Sequence, residues 1–135
     1  MFGLFKEWKK FSIYPKSDKG KMKLEEVYED VTRNKKEFQA FKDQQDLLEW
    51  VRKYGTEQAY HPNITNLIEI IGDGKIALES IPIGSIPKKH LEDFPSKPKI
   101  KATILGGKVA TNSGIWSDGK VTIEERPLGI EIKYK

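Results

Sequence analysis

The chain has 135 residues, 24 Lys and Arg against 20 Asp and Glu, 37% apolar residues and no cysteine. That length buries a core without covalent staples and leaves little room for a second full-sized domain. Without cysteine there is no disulfide framework, thiolate nucleophile, iron–sulfur cluster or Cys-based zinc site, and His61 and His90 are the only imidazoles.

Charge is unevenly spread. Residues 1–23 carry seven lysines against Glu7 and Asp18, residues 24–79 seven basic against twelve acidic groups, and residues 80–135 ten against six. Only Arg33, Arg52 and Arg126 are arginine. The lysine bias argues against bidentate reading of guanine, which favours the guanidinium fork.

Met1 to Phe11 places Met1, Leu4, Phe5, Trp8 and Phe11 at helical spacing, predicting a short amphipathic arm. Phe2, Leu4, Phe5 and Trp8 are the candidate contacts of such an arm with a protein groove or a membrane surface, unless the stripe folds back on the core. Ser12 to Lys23, with Pro15 and Gly20, reads as linker. Leu24, Val27, Tyr28 and Val31 then share a helical face behind Glu25, Glu26, Glu29 and Asp30, and Phe38 and Phe41 either extend that face or belong to a short strand over 37–41. Asp46 is the expected cap of a second helix carrying Leu47, Leu48, Trp50, Val51 and Tyr54, ended by Gly55.

After Pro62 the apolar period changes to two. Strands are expected over 67–71, 76–81, 100–105, 109–116, 121–124 and 128–134, joined by turns at Gly72-Asp73-Gly74, Gly106-Gly107 and Ser117-Asp118-Gly119. Residues 82–98 are proline-rich, and a helical turn is expected inside them at Lys88 to Phe94. The resulting fold class is α+β: an amphipathic arm and linker over 1–22, then one domain over 23–135. Its helical part is 23–62, and its β part, 63–135, is an antiparallel meander of five to six strands, open or curled into a small barrel.

Motifs for chemistry are sparse. Gly106-Gly107-Lys108 only echoes a phosphate loop, and the acidic pairs sit on neighbouring positions that point apart. Asp118 with Glu131-Ile132-Lys133 has the D…E-x-K form of metal-dependent nucleases, in which two carboxylates hold a divalent ion and lysine steadies the attacking group. Lys97, Lys99, Lys101, Lys108 and Lys120 near Trp116 suit a nucleic-acid surface, since lysine neutralises phosphate and the ring stacks on a base. The same pattern also suits the solvated side of a half-buried sheet with Trp116 in the core.

The expectation is therefore a non-catalytic, cytoplasmic protein-interaction or accessory module, with no catalytic residue, metal or cofactor assigned. So short a chain without familiar motifs also fits a virus or mobile element, an expectation no particular residue carries. A nucleic-acid-binding domain is the alternative, and a small metal-dependent hydrolase the second alternative.

Overall fold

The computed structural model describes residues 7–112 and 121–135. It is an α+β fold with two antiparallel sheets that do not close into a barrel. The first sheet has the order β1-β7-β6-β2, from Lys9–Ile13 (β1), Thr122–Tyr134 (β7), Ile100–Thr111 (β6) and Thr56–Gln58 (β2). The second is the meander β3-β4-β5, from Ile68–Ile71, Lys75–Leu78 and Ile81–Ser85. Helices α1 (Asp18–Thr32) and α2 (Gln44–Tyr54) precede the second sheet, and a one-turn α3 (Lys88–Leu91) follows it.

The amino-terminal segment departs from expectation. Lys9–Ile13 is a strand, pairing Lys9 with Tyr134 and Ile13 with Ile130, so the helical arm does not extend through Phe11. Spacing permits both readings, because Phe11 and Ile13 also alternate, and burying both against β7 decides for the strand. Nor is 12–23 a linker: Ser17 caps α1, its Oγ accepting the Gly20 N–H at 3.0 Å. Gly20 resembles a breaker in the sequence, yet it is buried against Pro15 and the Pro82 carbonyl, where a Cβ would crowd both.

The second helix starts three residues earlier than a cap at Asp46 implies. Asp43 is the cap, accepting the Asp46 N–H at 2.9 Å, while the Asp46 carboxylate reaches back to the Lys42 N–H at 3.1 Å. Gly55 ends this helix at φ 93°. Residues 37–40 are turns and Phe41 is irregular chain, not a strand, and Phe38 and Phe41 pack with Leu47, Val51 and Ala110 in a small second core. The main core joins Leu24 and Val27 of α1 to Phe11, Ile13, Ile104, Ile130, Ile132 and Tyr134 of the first sheet and Ile76, Leu78 and Ile83 of the second.

Two expected turns are also revised. Gly106-Gly107 does not reverse the chain, because β6 runs unbroken through it. The glycines take φ 90° and 71°, and Leu105 pairs with Gly129 while Gly107 pairs with Arg126, leaving Pro127 and Leu128 opposite Gly106 alone. This is a β-bulge, and positive-φ glycine serves a bulge as readily as a turn. The strands expected at 121–124 and 128–134 are accordingly one, with Pro127 tolerated at the bulge. The strand expected over 76–81 instead turns at Glu79-Ser80, and β5 runs from Ile81 into the proline-rich stretch, where Pro82 is acceptable on an edge strand. The turn expected at 117–119 lies outside the described residues.

Candidate functional site

Where all three strands run side by side, the side chains of β1, β7 and β6 alternate between an inner and an outer face. Phe11, Ile13, Ile130, Ile132, Tyr134, Ala102 and Ile104 face the core. Trp8, Lys10 and Ser12, Glu131, Lys133 and Lys135, and Lys99, Lys101 and Thr103 therefore face outward. The register sets Lys10 opposite Lys133 and Lys133 opposite Lys101, so one rung across three strands is entirely lysine. In the next rung Lys99 and Lys135 exchange both backbone hydrogen bonds, at 3.0 and 3.2 Å. Trp8 lies beside them, with the Lys101 and Lys135 ammoniums 4.6 and 4.7 Å from its ring centroid.

Directly opposed like charges destabilise a sheet by a few tenths of a kcal/mol or more per pair, at about 0.2–1 kcal/mol for such contacts. Five lysines converge here, and the only carboxylate at these outward positions is Glu131, 3.9 Å from Lys133. Trp8 relieves part of the repulsion, each ammonium over an exposed ring being worth about 0.5–1 kcal/mol. The platform is backed on its core side by Phe11, His90, Phe94 and Tyr134, whose rings meet at 4.7–6.0 Å. His90 Nδ1 and the Tyr134 hydroxyl are hydrogen-bonded at 2.9 Å, which ties α3 to the sheet. Lys9 faces this side and pairs with Asp93 at 2.9 Å. That hydrogen bond holds the Asp93 carboxyl below its ordinary range and the Lys9 ammonium above its own.

The residues singled out from sequence divide. Lys99 and Lys101 share the platform, and Lys97 is exposed in the loop just before it. Lys108 lies past the bulge and pairs with Glu37 at 2.7 Å, so its charge is engaged elsewhere and raised in pKa by that hydrogen bond. Of the arm residues, Trp8 joins the platform, whereas Phe2, Leu4 and Phe5 lie outside the described residues, as do Trp116 and Lys120. Asp118 does too, so the D…E-x-K pattern has geometry only at Glu131 and Lys133. Lys10 and Lys135 were not among the sequence candidates, and Lys133 entered only through the D…E-x-K pattern. Their alternation with Phe11, Ile132 and Tyr134 was the available signal.

Two clefts are also present, the first lined in part by Tyr14. One of about 790 Å³ runs between α1 and the bulge, with Leu24, Leu105, Val109 and Leu128 in its wall and Lys21 and Arg126 also lining it. Its central polar group, Gln58, is spent on structure: Oε1 accepts the Gly106 N–H and Nε2 donates to the Tyr60 and Ile104 carbonyls. The other, of about 600 Å³, contains Glu57 and His61 in contact at 2.8 Å, and among the described residues no serine or aspartate lines it. His61 is mostly exposed, and Thr32, the hydroxyl nearest in chemistry to a nucleophile, donates to the Tyr28 carbonyl. No protein-family model, curated protein or solved structure matches the chain.

Proposed function

We propose that the protein is a non-catalytic module that binds nucleic acid on the outward face of β1, β7 and β6. The observation that carries this reading is the all-lysine rung Lys10–Lys133–Lys101 beside a tryptophan. A row of like charges costs the folded state energy, and a polyanion laid across it converts the cost into attraction. Lysines without arginine suit phosphate neutralisation, which is insensitive to sequence. A cytoplasmic site of action belongs to the same reading.

The test is direct. The wild-type chain should bind an oligonucleotide with affinity that falls steeply as salt rises, and Lys101→Glu with Lys133→Glu should lose at least tenfold in affinity while retaining its circular dichroism spectrum. Unchanged affinity in that variant removes the face from consideration.

A protein-interaction role is favoured by a separate feature. β1 pairs with β7 only as far as Ile130, so Thr122–Arg126 have β6 on one side and no strand on the other among the described residues. Ile123 is 48% exposed there. Such an edge accepts an extended segment of a partner by strand addition. Pull-down of a protein that survives nuclease treatment and is lost in Ile123→Lys supports this second role, and retention by the variant counts against it.

A further inference from the structure

The same outward face carries a second aromatic at its far end. Tyr14 follows β1, and its ring covers Gly129, with Cδ1 and Cζ within 2.9 Å of where a Cβ on that glycine would stand. Tyr14 nevertheless remains 53% exposed. Along β7 the two aromatic positions are Lys135, beside Trp8, and Gly129, under Tyr14, about 20 Å apart at ~3.3 Å per residue. Between them lie Lys10, Lys133 and Lys101.

We infer that this face takes single-stranded nucleic acid, with one base stacked on Trp8 and another on Tyr14 and the intervening phosphates on the lysine rung. The inference rests on the nucleic-acid reading of the face. Rings presented on a sheet surface can meet a base only where that base is unpaired and unstacked, whereas a duplex offers them phosphate and sugar. Stacking accepts every base, and lysine reads none, so binding is sequence-tolerant. The ammoniums over Trp8 do not block the site, because an exposed ammonium holds a ring more weakly than a base does. Lysine's flexible stem lets the displaced ammonium move to the adjoining phosphate.

Fluorescence anisotropy of the full chain with labelled oligothymidylate, and with a duplex of equal length at the same salt, tests this. The single strand should bind at least tenfold more tightly. Trp8→Ala and Tyr14→Leu should each weaken single-strand binding about 5- to 150-fold and leave duplex binding nearly unchanged, while Trp8→Phe and Tyr14→Phe retain most of it. The leucine keeps Gly129 covered, so a loss there reports stacking and not unfolding. Equal affinity for both forms, with both ring variants unaffected and Lys101→Glu with Lys133→Glu still defective, overturns the stacking model and leaves the nucleic-acid reading intact. If no oligonucleotide binds while phosphatidylserine vesicles do, both the inference and the reading beneath it fail.

Discussion

The two faces of β1, β7 and β6 are built from alternating positions of the same strands and do opposite things. The inner positions are apolar and sealed, Ile130 and Ile132 being fully buried. The outer ones gather five lysines whose mutual repulsion gives the fold nothing. Alternation lets one set of strands hold both, because a change on one face leaves the other in register. Stability and binding should therefore separate cleanly by residue parity.

The largest effect that would break this separation is on the inner face. Ile132→Ala removes a side chain from full burial and should cost about 2–5 kcal/mol, read as a lower midpoint in urea unfolding. If its stability loss were instead small, the inner face would not be the structural one. Next comes the bulge that interrupts the β6–β7 ladder. Gly106→Ala forces a Cβ into the Pro127 carbonyl at φ 90° and should cost about 1–3 kcal/mol in thermal unfolding. On the outer face, Lys101→Gln should stay within about 0.5 kcal/mol of wild-type stability. It should also lower the slope of log affinity against log salt by about one.

The smallest effect concerns the inner rim. Asp93 is held below its ordinary range by Lys9, so its contribution is present above the range of a free aspartate and fades as pH falls through the lowered value. Lys9 is raised by the same contact, so its contribution fades as pH rises through that higher value. Asp93→Asn should thus narrow the difference from wild type at both pH extremes and leave its greatest, still slight, loss of thermal stability near neutrality.

What could be read from the sequence follows contact distance. The second helix and the final strand were legible because their signals are local: Gly55 at a helix end, and Ile130, Ile132 and Tyr134 on alternate positions. β1 was not, because Trp8 to Ile13 find their partner more than a hundred residues away and their spacing alone also fits a helix. The same distance hid the platform. Lys10, Lys101 and Lys133 come from three separate segments, and only the register of β1 and β6 on β7 places them in one rung. Gly106-Gly107 signals positive φ in the sequence but not whether a turn or a bulge uses it, since the extra residue that makes it a bulge lies on the opposite strand.

Titration of the isotopically labelled full chain with oligothymidylate, followed by backbone amide shifts, tests the central claim most directly. Shifts concentrated at residues 8–14, 99–103 and 129–135 are the predicted result. Shifts concentrated instead around Trp50 and Tyr54 of α2, or none at saturating oligonucleotide, would contradict it.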